Sequence, residues 1–132
     1  MSEQQHVRVS DVMTPNYQTV DGMMTIADAI EKIKSTGAVA LIVNKRHDDD
    51  EYGIVLLGDI AREVLAVDRA PERVNVYEIM SKPVVAVDPY MDIRYCARLF
   101  GKLGFSYAPV LDGGKLKGIV SYADLVLKGL CY

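Results

Sequence analysis

The sequence predicts an α/β fold made of two β-α-β-β-α units in one chain, packed as a pseudo-two-fold pair. Three observations carry this expectation. First, Val9-Ser10-Asp11-Val12-Met13-Thr14-Pro15 returns sixty-seven positions later as Val76-Tyr77-Glu78-Ile79-Met80-Ser81-Lys82. Second, Gly53-Ile54-Val55-Leu56-Leu57-Gly58-Asp59-Ile60 returns sixty-five positions later as Gly118-Ile119-Val120-Ser121-Tyr122-Ala123-Asp124-Leu125. Third, the residues between these motifs show helical periodicity in both copies. Ile26, Ala29, Ile30 and Ile33 fall on one helical face, and Ile93, Cys96, Ala97 and Phe100 repeat it.

Each copy parses in the same order. A turn of helix (Val9–Met13; Val76–Met80) leads to a short strand (Tyr17–Val20; Val84–Val87). The amphipathic helix follows and stops at Gly37 or Gly104, because glycine accepts the left-handed conformation that ends a helix. Next come a buried strand (Val39–Val43; Ser106–Leu111), a hairpin and a second strand (Ile54–Leu57; Leu116–Val120). Asp112-Gly113-Gly114 supplies the second hairpin with residues that tolerate positive φ. The first hairpin, Lys45 to Glu51, is longer and charged. A closing helix (Asp59–Val67; Tyr122–Leu130) ends each copy. The expected division is repeat one at 7–68, a linker at 69–75 and repeat two at 76–130. A unit of about 60 residues buries too little surface to be secure alone, so the two should pack together.

The chain as a whole bounds the function. Of its 132 residues half are hydrophobic, which supports a real core, and the net charge of −3 with mixed signs lacks the basic face that nucleic acid requires. The opening residues carry no apolar signal-peptide core, and no apolar run approaches the ~18 residues of a membrane span. The expectation is a soluble cytoplasmic protein. Cys96 and Cys131 have no metal or redox spacing; Cys96 reads as a small core residue and Cys131 as a near-terminal thiol. His47-Asp48-Asp49-Asp50-Glu51 lacks the alternating ligands and glycine turn of a calcium loop, so it reads as a solvated hairpin tip rather than a metal site. No nucleophile has a partner base and no glycine-rich phosphate loop is present, so catalysis is not expected.

The doubled figure V-x-D/E-h-M-T/S (Val9–Thr14, Val76–Ser81), the segment Gly104–Val110 and the motif Gly118–Leu125 resemble a tandem pair of CBS domains, the Bateman module. The resemblance covers residues 7 to 130. It implies a regulatory sensor that binds an adenosine-containing ligand in the inter-motif cleft: AMP, ADP or ATP, less often S-adenosylmethionine. It also implies side-by-side homodimers and an unidentified regulated protein. The alternative is a ligand-free module for dimerisation or protein interaction.

The candidate site residues follow. Asp124 offers only acceptor positions, which suit a ribose cis-diol, and Ser121 would donate to a phosphate. The same Ser-x-x-Asp spacing also makes a helix capping box, and both readings stay open here. The resemblance makes Ser106, Tyr107, Ala108 and Pro109 a second wall. A third wall would be Met80, Ser81, Lys82 and Val84, with Lys82 as a phosphate cation. A second, weaker pocket would hold Asp59, Arg62, Thr14, Tyr17 and Ala40, with Leu56 where the serine should be. Surplus apolar residues on the helix of repeat two (Tyr95, Leu99, Leu103) and on its closing helix (Leu125, Val126, Leu127, Leu130) point to a covered homodimer face.

Overall fold

The computed structural model describes residues 6–82 and 85–130. The chain forms two compact units that cut across the sequence repeats. One is contiguous and begins at Tyr17; the other is discontinuous and joins residues 6–16 to residues 85–130. Each repeat therefore lends its leading turn of helix to the core of the other repeat.

The exchange is reciprocal down to single hydrogen bonds. In the discontinuous unit, α1 (Val9–Val12) docks through Val9 N–H to the Met91 carbonyl at 2.8 Å and Ser10 N–H to the Pro89 carbonyl at 2.8 Å. In the contiguous unit, α4 (Val76–Ile79) docks through Val76 N–H to the Met24 carbonyl at 2.8 Å and Tyr77 N–H to the Gly22 carbonyl at 2.9 Å. These four donors and acceptors are the same repeat positions with the copies traded. Burial explains the choice: Val9, Val12, Val76 and Ile79 are all buried, and each pair completes the partner repeat's core. Val74, expected in the linker, is also buried there, and its carbonyl accepts Ile26 N–H at 2.7 Å.

The contiguous unit holds a three-stranded sheet, in which β1 (Thr19–Val20) runs parallel to β2 (Ala40–Val43) and β2 antiparallel to β3 (Gly53–Leu56). Helix α2 (Ile26–Thr36) starts where Thr25 Oγ1 accepts Asp28 N–H at 3.2 Å, and Gly37 ends it at φ 76°. Then α3 (Leu57–Ile60) widens into a π-helical stretch, Ala61–Leu65.

The discontinuous unit repeats the plan with one difference. Helix α5 (Ile93–Leu103) is capped by Asp92 and ends at Gly104, φ 74°. Its buried face is Ile93, Cys96 and Phe100; Ala97, expected on that face, is exposed, while Leu99 is half-buried against the core. Burial pushes the Cys96 thiol up to about 11. Phe100 meets Tyr122 edge-on at 5.3 Å. Strands β4 (Tyr107–Asp112) and β5 (Lys115–Ser121) pair antiparallel, turning at Gly113 and Gly114, both at positive φ. The expected strand Val84–Val87 is reduced, among the described residues, to one parallel bridge between Val87 and Val110. Val84 lies outside the described residues. The reason lies at Pro109. In the first repeat the equivalent Ile42 donates its N–H to Gln18 at 3.0 Å. Proline has no N–H, so that rung of the ladder is missing. The rungs that survive are Val87 N–H to Pro109 and Leu111 N–H to Val87, each 3.0 Å. A π-helical turn, Asp124–Lys128, closes the unit. Among the described residues no helix is long and apolar enough to cross a membrane.

Candidate functional site

The exchange of leading segments decides which candidate residues meet. Thr14 bridges β5: its N–H donates to the Ile119 carbonyl at 2.8 Å and its carbonyl accepts Ile119 N–H at 3.0 Å. Ser81 makes the same bridge to Ile54 on β3, at 2.9 and 3.1 Å. The crossing is close because β5 and β3 present Gly118 and Gly53 there. A Cβ on Gly118 would stand 2.7 Å from the Thr14 carbonyl oxygen, and one on Gly53 would stand 2.8 Å from Met80 Sδ. The sequence-based grouping of the third wall is therefore corrected. Thr14 belongs with Ser121 and Asp124, whereas Met80 and Ser81 cross β3 in the unit that holds Asp59, and Lys82 follows them in that unit.

Asp124 is the centre of the first constellation. Its side chain is buried, and among the described residues no other charged side chain is. Ser121 N–H donates to Oδ2 at 3.0 Å and Ser121 Oγ to the same oxygen at 3.2 Å. Asp124 N–H donates to Ser121 Oγ at 3.2 Å, which completes a capping box. Two further groups converge on Oδ1: the Thr14 hydroxyl at 3.3 Å and Lys128 Nζ at 3.0 Å. A plain cap would use one carboxylate oxygen and leave the other to water. Here a hydroxyl from a segment 110 residues away and an ammonium complete the shell. Tyr107, half-buried, lies opposite Ser121 across the β4–β5 ladder. Ala108 and Pro109 are buried in β4, and Ser106 is exposed with its carbonyl accepting Tyr122 N–H at 3.3 Å. Lys128 was not singled out from the sequence. Its spacing of one helical turn beyond Asp124 is the signal that could have found it.

The second constellation is thinner. Asp59 accepts Leu56 N–H at 2.8 Å, so half of a capping box forms even without a serine. Its other oxygen pairs with Arg62 Nη2 at 3.0 Å, and the Arg62 side chain is mostly in solvent. Ala40 is buried on β2 opposite Leu56, and Tyr17 is half-buried at the start of the unit.

Lys82 stands apart from both carboxylates. Its ammonium pairs with Asp50 of the first hairpin. Asp50 also accepts Arg46 N–H at 2.8 Å. The Lys82 hydrogen bond first, then the Arg46 and Glu51 backbone groups, hold its carboxyl well below the usual carboxylate range. The hairpin is thus not solvated throughout: Asp48, Asp49 and Glu51 are exposed, while Asp50 is drawn in. The depressed pKa fixes the sign of a pH effect. The folded state binds this proton less readily than the unfolded state, so the contact stabilises above the ordinary carboxylate range near 4 and fades as acid protonates Asp50. Asp50→Asn should lower the melting temperature at pH 7 and change it progressively less as the pH falls toward 2. A gap that widened on acidification would contradict this assignment. Among the described residues no group of His, Cys, Asp and Glu is arranged to hold a metal ion.

Comparison with known proteins supplies independent context. The profile of the CBS domain matches residues 9–66 and 76–129. A hexameric CBS-CP12 protein from bloom-forming cyanobacteria superposes with a TM-score of 0.91 at 41% identity, covering 93% of this chain and 68% of that one. A protein with CBS domains from Burkholderia ambifaria gives a TM-score of 0.79 at 35% identity, covering 88% of this chain and 84% of that one. An uncharacterized protein of Methanopyrus kandleri is 29% identical over 122 residues; the match takes in 91% of this chain and 61% of that relative's length.

Proposed function

The chain belongs to the CBS domain family, with one domain in each repeat, and from that premise we propose a non-catalytic regulatory module that binds an adenosine-containing ligand at the Asp124 constellation. Tandem CBS domains are generally regulatory or ligand-binding modules. The observation that carries the finer reading is the convergence of Thr14, Ser121 and Lys128 on one buried carboxylate. Asp124 would accept the ribose hydroxyls. Thr14, Ser121 and Lys128, turned from it, would serve the phosphate as two hydroxyl donors and a cation. Tyr107 would flank the ligand from β4. AMP, ADP and ATP are the ligands of choice and S-adenosylmethionine the outlying one. A ligand that prefers one arrangement of the protein shifts the population toward it, and a regulated protein would read that shift.

A thermal-shift series with these four compounds tests the reading. At about 100 times Kd a ligand stabilises by roughly 2.7 kcal/mol, a clear rise in melting temperature. No shift with any of them would favour a protein-interaction module. That second reading has its own support in exposed apolar side chains: Tyr95 is 62% exposed, Leu127 70% and Leu130 61%. Leu99 and Leu125, grouped with them in sequence, pack inward instead. A hexameric cyanobacterial protein of similar structure supports self-association as the form that covers them. Self-association through this face, with a homodimer as the smallest form, should give at least twice the chain mass in light scattering at micromolar concentration. A clean monomer would rule it out.

A further inference from the structure

Lys128 touches more than Asp124. Its ammonium also donates to the Val12 carbonyl at 3.1 Å, at the end of α1. Asp124 in turn holds the Thr14 hydroxyl. The closing turn of the discontinuous unit thus grips the leading segment 6–16 at two points, directly from Lys128 to the Val12 carbonyl and from the Asp124 carboxylate to the Thr14 hydroxyl, and that carboxylate also orients Lys128. The acceptors of that carboxylate are already filled by Ser121, Thr14 and Lys128. A diol cannot bind there without displacing some of them.

We infer that Asp124 and Lys128 form a ligand-operated latch on the leading segment: the same carboxylate that takes a ligand's cis-diol lets go of Thr14 and Lys128, and the segment loosens. This rests on the nucleoside-binding reading above. The Ser121 amide stays bonded to Asp124 through the local turn even when its hydroxyl turns away, so Thr14 and Lys128, which come from outside that turn, are the groups whose release loosens the segment. The segment remains attached by the Val9 and Ser10 amides, by its buried valines and by the paired Thr14–Ile119 backbone bonds, so release is limited to the Thr14 hydroxyl and the Val12 carbonyl, with a modest loosening of the backbone between them. Linkage makes the coupling reciprocal: whatever the ligand does to the latch, the latch does to the ligand. Lys128 is a positioning residue here, acting on the ligand through Asp124.

The test uses the full chain, Lys128→Met and, as a conservative control, Lys128→Arg. Half of the Lys128 side chain is in solvent, so its grip corresponds to a change of about two- to five-fold. Hydrogen exchange at the Met13 and Thr14 amides should quicken by that factor in Lys128→Met, with the Leu41 and Val55 amides of the contiguous unit unchanged. Lys128→Arg should restore protection. Adenosine is the ligand probe, because it carries the diol and no phosphate. It should quicken exchange at Thr14 in the wild type and bind Lys128→Met two- to five-fold more tightly, since the latch no longer competes. A merely structural lysine would not raise affinity. Equal exchange in Lys128→Met and wild type, slower exchange at Thr14 on adding adenosine, or weaker binding to Lys128→Met would each overturn the latch. If adenosine binds neither protein, the ligand reading fails at this site, and the exchange comparison between variants alone decides the latch.

Discussion

Gly118→Ala is expected to destabilise the protein by about 2–3 kcal/mol, the upper part of the range for forcing extra volume into a packed site. The new Cβ would lie 2.7 Å from the Thr14 carbonyl oxygen and 3.1 Å from Met13 Sδ. That oxygen is fixed by the Ile119 N–H at 3.0 Å, so it cannot retreat without breaking the bridge that seats the leading segment on β5. The equivalent change, Gly53→Ala, should cost only about 1 kcal/mol. There the nearest atom is Met80 Sδ at 2.8 Å, the far end of a flexible side chain, and the backbone oxygen of Ser81 is 3.3 Å away. Urea unfolding of the two variants decides the matter. Equal losses, or a larger loss for Gly53→Ala, would mean that the two crossings are not packed as described.

Asp124→Ala should remove tight binding of the adenosine ligand, while Asp59→Ala leaves it almost intact. Each hydrogen bond to a charged group contributes roughly 1.5–3 kcal/mol, so losing one weakens binding by about 10- to 100-fold, and Asp124 supplies more than one. Titration calorimetry of the wild type should find about one tight site per chain. The second constellation has fewer polar groups: only Arg62 and the Leu56 N–H meet Asp59, no hydroxyl stands where Ser121 does, and Lys82 is engaged with Asp50. Asp124→Ala also has a stability cost. It strands the Ser121 N–H and the Thr14 hydroxyl, at about 1–3 kcal/mol for a buried donor left unpaired. Lys128, half in solvent, turns to water and adds little. Binding must therefore be compared at a temperature where the variant is still folded. If Asp59→Ala abolished binding and Asp124→Ala did not, Ser121 and Asp124 would be a helix cap and nothing more.

The two sites differ in how far their chemistry could be read in advance. Asp124 and Ser121 stand three residues apart on a strand-to-helix turn, so local spacing alone brings them together. The partners from outside that turn were a different matter. The sequence places Thr14 in the weaker pocket, and Met80, Ser81 and Lys82 in the stronger one, because adjacency within a repeat is the only neighbourhood it displays. Lys128 stands one helical turn beyond Asp124, but its second partner, the Val12 carbonyl, lies 116 residues away and no local spacing announces it.

The sequence by itself determined the α/β class, the doubled unit and most of its elements. Their signals are local: helical period, glycine stops at Gly37 and Gly104, a glycine hairpin, and buried runs short enough to be strands. Only the tertiary structure decided which core each leading helix enters. Val9 and Val76 sit at the same repeat position, so either could satisfy either core by composition. The chain path chose the exchange, and the small residues Gly118 and Gly53 left room for it. The same holds at Pro109. Its missing N–H is plain in the sequence, but only the pairing partner shows that the lost rung is the one that Ile42 makes to Gln18. Local conformation is set by a residue and its near neighbours. Which distant segment fills a given edge or core is set by the free energy of burying apolar surface across the whole unit, and no short window of sequence contains that.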